Sequence, residues 1–167
     1  GIPHSGYYTQ RDIREIVDFE LERNVMIVPE IDMPAHFAAA FAAYPELACR
    51  EIIREVPWYF GGRVPISKGI WDWNRSACIG KAVTFEFIYN VIDEIIGLFP
   101  APYFHIGGDE APKGEWKKCP HCRKLMDEKG LKTTEELQSY FINEVNKYVL
   151  SKGRELIGWN EILEGGN

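Results

Sequence analysis

Apolar residues recur with helical spacing in four stretches of the chain. Thr9 with Asp12, and Thr133 with Glu136, have the spacing of a capping box at a helix start. Gly130 suits the position just after a helix end, where a left-handed backbone is common. The spacing and these end signals predict helices over about 9–24, 81–98, 120–130 and 133–153.

Three short, almost unbroken apolar runs lie between these helices: VMIVPEI (25–31), PYFHI (102–106) and ELIGW (155–159). Runs of this kind are typical of strands that are buried on both faces. Strands that alternate with helices favour an α/β fold with a parallel sheet. A complete (β/α)₈ barrel needs about 250 residues, so three strands indicate a partial barrel of about three to four β/α units. Residues 44–80 form a long irregular connection.

Composition and charge narrow the function classes. The 167 residues carry a formal net charge of -6 without a basic stripe, which argues against a nucleic-acid partner. The most apolar helix contains Asp93 and Glu94 and is too short for a membrane span. The chain begins with Gly1 rather than Met and shows no leader pattern. We expect residues 1–167 to be one part of a single, longer catalytic domain.

Chemically capable side chains follow each predicted strand. In parallel α/β folds, ligands bind at the carboxyl ends of the strands. A polar residue at a single strand end is often only solvated, but three strands that deliver such groups to one edge indicate a site. Gly107 and Gly108 allow the chain to bend there, so that two adjacent acids can serve one pocket. The residues concerned are Asp32, His36, Asp109, Glu110, Trp159 and Glu161.

Three segments resemble motifs of glycoside hydrolase family 20, the β-N-acetylhexosaminidases. They are PEIDMPAH (29–36), HIGGDE (105–110) and GWNEIL (158–163), and they occur in the family's order. Ala35 departs from the glycine that the family usually has. The resemblance implies a (β/α)₈ barrel whose sugar-binding arginine and further pocket tryptophans lie on strands outside this chain. It also implies a carbohydrate substrate and no metal or cofactor.

The resemblance assigns roles to the adjacent acids. The family cleaves terminal β-linked N-acetylglucosamine or N-acetylgalactosamine, and the 2-acetamido oxygen of the substrate is the nucleophile. Glu110 is then the general acid and base, and Asp109 orients the acetamido group. His36 and Asp32 support Glu110, and Trp159 forms a wall of the sugar pocket.

Several assignments stay open at this point. His105 lies inside a predicted strand, where a packed support is favoured over a reacting group. Glu161 is expected to contact the substrate. The alternatives are that it lies behind the residues that contact the substrate, or that it is a solvated acid at a strand end. Trp58, Tyr59, Trp71 and Trp73 are candidates for stacking on sugar, although packing is the favoured interpretation. His4 and His121 are expected at the surface.

Two rival functions remain at this point. One is a metal-dependent hydrolase with His36, His105 and Asp109 as ligands. The other is a sugar-binding relative that has no catalytic activity.

The four cysteines form two sets in the sequence. Cys119 and Cys122 have a spacing found in zinc sites, but such a site needs four ligands and the other two are distant in sequence. A local disulfide or free thiols are therefore favoured over zinc. Cys49 and Cys78 bracket the long connection, where a disulfide would close it in an oxidising compartment. This arrangement would suit a periplasmic, secreted or cell-surface protein.

Overall fold

Helices and strands alternate along the part of the chain that the structure, a computed structural model, describes: residues 6–50 and 75–166. The strands are β1 (Tyr103–His105) and β2 (Glu155–Ile157). Short 3-10 helices cover Pro45–Leu47 and Asn160–Leu163. The α-helices are α1 (Gln10–Leu21), α2 (Ala38–Ala43), α3 (Ala82–Leu98), α4 (Pro120–Lys129) and α5 (Thr134–Ser151).

The four predicted helices are confirmed, together with their end signals. The Thr9 hydroxyl accepts a hydrogen bond from the Asp12 backbone N–H, and the Asp12 carboxylate accepts one from Thr9. Thr133 caps α5 in the same way through the Glu136 N–H. Gly130 follows α4 with φ of 71°, the left-handed conformation that glycine adopts without strain. The short α2 was not predicted, because its six residues are too few to show a helical period.

A parallel sheet forms around β1. β1 pairs with β2 in parallel, with Phe104 opposite Leu156. On the other side of β1, the Ile31 N–H donates to the His105 carbonyl and the His105 N–H donates to the Pro29 carbonyl, each at 3.0 Å. The parallel order expected of an α/β fold is therefore present.

The first predicted strand, 25–31, is corrected by the structure. Pairing there is an isolated bridge between Glu30 and His105, and the hydrogen bonds extend forward to Met33 rather than back to Val25. Val25 and Met26 are more than half exposed. The apolar run predicted burial on both faces, but these two residues have no neighbouring strand in the described part of the chain.

The core lies between the sheet and the helices. Phe104 and Ile106 are buried, and they belong to one cluster with Ile88 and Ile92 of α3 and with residues of α5. Tyr89 and Tyr148 stack with ring centroids 3.9 Å apart and join α3 to α5. Within the described residues, every helix is too short or too polar to cross a lipid bilayer.

The long connection is described only at its two ends. Residues 44–50 and 75–80 lie against the core, and Leu47, Ala77 and Ile79 are buried there. The candidate stacking residues Trp58, Tyr59, Trp71 and Trp73 lie outside the described residues, as does His4. His121 is exposed, as predicted.

The four cysteines form one cluster rather than two sets. All four are free thiols, so the structure contains neither a Cys119–Cys122 nor a Cys49–Cys78 disulfide. Their sulfur atoms all lie within 4.8 Å of one another. The distance in sequence that argued against a four-ligand site is not a distance in space, because the sulfur atoms of Cys49 and Cys78 both lie beside that of Cys122.

Candidate active site

An acid, a histidine and a second acid meet at the carboxyl end of the sheet. The Nε2 atom of His36 lies 3.6 Å from Asp32 Oδ2 and 3.8 Å from Glu110 Oε2. Asp32 and His36 come from the segment that runs beside β1 as far as Met33 and then leaves the sheet, whereas Glu110 comes from the loop after β1. The imidazole therefore bridges two loops, and it can orient the Glu110 carboxyl group through hydrogen bonding or charge.

The two adjacent acids have different surroundings. The Glu110 side chain is 60% exposed and faces solvent. Asp109 turns inward, and one of its oxygens lies within 4.8 Å of ligand atoms of Asp32 and His36. Its Oδ1 atom is shielded from solvent and has no hydrogen-bond partner among the described residues. A buried carboxylate oxygen of this kind calls for a donor from elsewhere.

Positive φ angles allow this arrangement. Glycines 107 and 108 have φ of 64° and 92°, and Glu110 has φ of 50°. A Cβ atom on Gly107 would overlap the Asp32 carboxylate, and one on Gly108 would overlap the Ile162 side chain. The bend that the sequence predicted is therefore present. It turns Asp109 and Glu110 toward one end of the sheet while Asp32 packs against the bare backbone.

Opposing effects act on the pKa of the Asp32 carboxyl group. Its partial burial raises the pKa of the carboxyl group, and the nearby charges of Asp109 and Glu30 raise it further. His36 and a hydrogen bond from the Gly108 N–H, at 3.3 Å, oppose this rise. The Asp32 carboxyl group is thus anchored by the Gly108 N–H and lies beside the imidazole.

A second group contains His105, Trp159 and Glu30. The Trp159 indole N–H donates to Glu30 Oε1 at 3.2 Å, and the same oxygen lies 3.3 Å from His105 Nδ1. The two rings meet edge to face, with centroids 5.1 Å apart. His105 thus packs against Trp159, which stays 51% exposed. The half-exposed indole offers an apolar face to a ligand.

Glu161 contributes through its backbone in the described contacts. It lies in the 3-10 helix after β2, and its carbonyl oxygen accepts a hydrogen bond from Gln138 Nε2 at 3.2 Å. The same amide group reaches the Gly108 carbonyl at 3.4 Å. Gln138, buried on α5, therefore links the loops that follow β1 and β2.

The match to a family model decides the membership of the chain. The model described as "Glycosyl hydrolase family 20, catalytic domain" matches residues 2–167. The chain belongs to glycosyl hydrolase family 20.

Several similar proteins are named as β-hexosaminidases or β-N-acetylhexosaminidases. A β-hexosaminidase of Porphyromonas gingivalis is 48% identical over 167 residues, which is 99% of this chain and 20% of that protein. A β-hexosaminidase of Vibrio furnissii is 34% identical and is covered to 25% of its length. The crystal structure of a β-N-acetylhexosaminidase from Bacteroides fragilis matches with a TM-score of 0.80 and 37% identity, over 95% of this chain and 29% of that one. This chain thus spans 20% to 29% of the length of these three relatives.

Membership in family 20 confirms the predicted fold class, a part of a (β/α)₈ barrel. The structure brings Asp32, His36, Asp109 and Glu110 together and places His105 and Trp159 beside them. The ligand set of the metal-dependent rival is not reproduced. Among the described residues, the group near Asp109 that could share an ion contains Asp32 and His36, and His105 faces Glu30 instead.

The sequence analysis missed two supporting residues. Glu30 was part of the quoted PEID segment, but its link to Trp159 joins residues that are far apart in sequence. Gln138 lies beside Leu137, Phe141 and Ile142 among the buried residues of α5, and a long polar side chain at such a position is a signal that could have revealed it.

Proposed function

We propose that residues 1–167 are the central part of one catalytic barrel, and that the intact protein carrying them is a β-N-acetylhexosaminidase. It would remove terminal, non-reducing β-linked N-acetylglucosamine or N-acetylgalactosamine from glycans or chitin-like oligosaccharides. The names of the relatives support this activity. The remaining strands of the barrel complete the pocket, and the reaction uses no cofactor.

The observation that carries the proposal is the unequal environment of the two adjacent acids. Asp109 Oδ1 is shielded and has no partner within the described residues, whereas the Glu110 carboxyl group is open to solvent. An N–H donor of the substrate would satisfy Asp109, and the acetamido group of an N-acetylhexosamine supplies one. The solvent-exposed Glu110 carboxyl group can exchange a proton with the leaving group and with water.

The first chemical step follows from these positions. Glu110 donates its proton to the glycosidic oxygen as the bond from that oxygen to the anomeric carbon breaks. The acetamido carbonyl oxygen bonds to the anomeric carbon from the opposite face and forms an oxazolinium ion. Asp109 accepts a hydrogen bond from the acetamido N–H and stabilises the positive charge that develops on this group.

The second step reverses the proton movement. Water loses a proton to the Glu110 carboxylate and attacks the anomeric carbon, which reopens the oxazolinium ring and restores the acetamido group. Two inversions at the same carbon retain the β configuration. His36 and Asp32 hold Glu110 in place through both steps, and they are positioning residues in this scheme.

Trp159 and Glu161 line the binding side in this proposal. The exposed indole face of Trp159 packs against the sugar, and Glu30 and His105 hold that face in place. The Glu161 side chain lies on the turn after β2, from which a carboxylate can accept hydrogen bonds from sugar hydroxyls.

The test compares two chromogenic substrates on the intact protein: 4-nitrophenyl β-N-acetylglucosaminide and the matching β-glucoside. Only the N-acetylated sugar should be cleaved. Glu110→Gln should lower kcat by about 10²–10⁴-fold, the usual scale of general acid catalysis. With a 2,4-dinitrophenyl leaving group the loss should be much smaller, because that group departs without protonation.

A second substrate series examines the nucleophile. Replacement of the acetyl group by trifluoroacetyl withdraws electrons from the carbonyl oxygen, so the rate should fall steeply. Equal cleavage of both sugars, or indifference to fluorination, would overturn the substrate-assisted mechanism. A protein that binds the sugar but does not cleave it, with the same affinity in Glu110→Gln, would instead be the catalytically silent relative.

We also propose that the protein acts outside the cytoplasm, in the periplasm, at the cell surface or after secretion. Polymeric glycan substrates support this location, although the free thiols remove the support that disulfides would have given. Cell fractionation beside a cytoplasmic marker enzyme tests it, and recovery with the marker would contradict it.

A further inference from the structure

The four cysteine sulfurs enclose one point in space. Cys78 Sγ lies 3.6 Å from Cys119 Sγ and 3.7 Å from Cys122 Sγ. Cys49 Sγ lies 3.7 Å from Cys122 Sγ, and all pairs of sulfurs are within 4.8 Å. Zinc bonds thiolate sulfur at about 2.3 Å, so the corners of a ZnS₄ tetrahedron lie about 3.8 Å apart. The three separations of 3.6 and 3.7 Å match the edges of such a tetrahedron, and the bound of 4.8 Å on the others keeps all four sulfurs around one centre.

Backbone structure around the cluster is typical of a metal site. Cys119 and Cys122 have the C-x₂-C spacing and stand at the start of α4, where Cys119 is the residue before the helix. A backbone hydrogen bond from Gly80 reaches the Cys122 sulfur. A Cβ on Gly80 would overlap the backbone of His121 and Cys122, so only glycine allows this approach. In metal sites, hydrogen-bond donors of this kind usually surround the coordinating atoms and orient them.

Burial and chemistry both favour a bound cation. Cys78, Cys119 and Cys122 are at most 3% exposed, and Cys49 is half-buried. Four soft sulfur ligands in a closed tetrahedral arrangement select zinc over magnesium or calcium. With all four positions occupied by protein, such a site is structural and leaves no position for substrate.

We propose that Cys49, Cys78, Cys119 and Cys122 bind one Zn²⁺ as a structural site. Binding converts four thiols to thiolates and releases their protons to solvent. The ion joins the loop after the 3-10 helix at 45–47, the loop before α3 and the start of α4. It therefore closes the two ends of the long connection where a disulfide had been one alternative.

The site is also linked to the catalytic loops by a short path. Ala77, next to Cys78, donates its N–H to the Pro34 carbonyl at 2.8 Å and accepts from the buried Trp116 indole at 2.9 Å. Ser76 donates to the Pro112 carbonyl at 3.1 Å. Pro34 and Pro112 lie two residues from His36 and Glu110. The zinc ion thus anchors residues 76–78, which hold both loops through these hydrogen bonds.

Metal content of the intact protein tests the proposal, and the proposed enzyme activity is not needed for this readout. The protein is purified without an affinity tag that binds metal and without added zinc, and its metals are counted by mass spectrometry. The double variant Cys119→Ser with Cys122→Ser should lose one equivalent of zinc per chain. His121→Ala, which changes the exposed histidine between these two cysteines, should keep it.

Two measurements on the unmodified protein keep the test decisive if the double variant fails to fold. Replacement of the ion by Co²⁺ should produce the intense visible and near-ultraviolet bands of tetrahedral thiolate coordination. The four thiols should react slowly with a thiol reagent until a mercurial displaces the ion. Rapid reaction of all four without metal release, a disulfide detected by mass, or iron in place of zinc would overturn the assignment.

Discussion

His36 and Glu110 both adopt a left-handed backbone conformation, with φ of 59° and 50°, and their side chains meet with Nε2 3.8 Å from Oε2. Residues other than glycine adopt this conformation at a cost of about 1–3 kcal/mol each, usually at functional sites. The contact between the proposed acid and its support is therefore maintained against local backbone preference. The Phe37 N–H donates to the Arg75 carbonyl and the Ala77 N–H donates to the Pro34 carbonyl, and these two hydrogen bonds hold the loop that carries His36.

His36→Asn should lower kcat about tenfold to a hundredfold and leave KM nearly unchanged, because asparagine tolerates the backbone but cannot reach Glu110. This is a share of the 10²–10⁴-fold contribution of general acid catalysis. Steady-state kinetics with 4-nitrophenyl and 2,4-dinitrophenyl leaving groups measures it. The loss should shrink with the better leaving group. His121→Asn is the surface control, and an equal loss there would contradict the role of His36.

Asp32→Asn should raise or preserve thermal stability at pH 7 while lowering activity. Burial raises the pKa of Asp32 in the folded state, so the stability associated with its protonated form is lost as pH rises through that folded pKa. Above it the buried charge costs stability, and asparagine removes this cost while keeping an acceptor for the Gly108 N–H. Melting temperatures measured from pH 7 down to pH 4 should show the advantage of Asn fading as pH falls.

Asp12→Asn is the control of opposite sign. Hydrogen bonds from the Thr9 side chain and backbone lower the pKa of Asp12, so its contribution is present above its ordinary pKa and lost as pH falls. This variant should melt below the parent at pH 7, and the two should converge in acid. Identical pH profiles for Asp32→Asn and Asp12→Asn would contradict the assigned burial effect.

Gly107→Ala should destabilise the protein more than two matched glycine variants. Gly130 has a positive φ and open space, so Gly130→Ala costs only the backbone strain of about 1–2 kcal/mol. Gly107→Ala adds an overlap with the Asp32 carboxylate, a further cost of about 1–3 kcal/mol. Gly114→Ala, which meets nothing and has no positive φ, should stay within about 0.5 kcal/mol of the parent. Denaturant titration gives the three values, and Gly107→Ala should also lose activity.

Gln138→Leu should cost about 1–3 kcal/mol, because the carbonyl groups of Gly108 and Glu161 lose their buried donor. Gln138→Glu should cost more, since a carboxylate would face those two carbonyl oxygens. Unfolding free energies and KM measure the effect, which should include weaker substrate binding where the two loops separate. Gln10→Leu removes a surface hydrogen bond to Glu94 and should be nearly neutral.

Local patterns predicted the helices well, because their evidence lies within a few residues. The capping pairs at Thr9 and Thr133 and the glycine at 130 act through neighbours in sequence, and each is present in the structure. The bend at Gly107 was also predicted from neighbours in sequence, because two glycines directly precede the two adjacent acids. These features can be read from one chain without knowledge of its tertiary contacts.

Features that depend on distant partners were missed or misjudged. Val25 and Met26 look like strand residues, yet their pairing depends on what lies beside them. Glu30 meets Trp159 only because the segment before Met33 runs beside β1 and Trp159 follows β2. The cysteines were judged by their spacing in the sequence, whereas tertiary packing brings all four sulfur atoms within 4.8 Å of one another.

The parallel register of Tyr103 with Glu155, and of Glu30 with His105, has a consequence for synthesis on the ribosome. Each pairing joins residues separated by at least one crossover helix, and contacts so distant in sequence form slowly. The helices can form as they emerge, but the sheet must wait for its later partners. The proposed acid and its supports can therefore assemble only after β1 and the loop that carries Glu110 have been translated, and until β2 follows the nascent chain exposes apolar surface to chaperones.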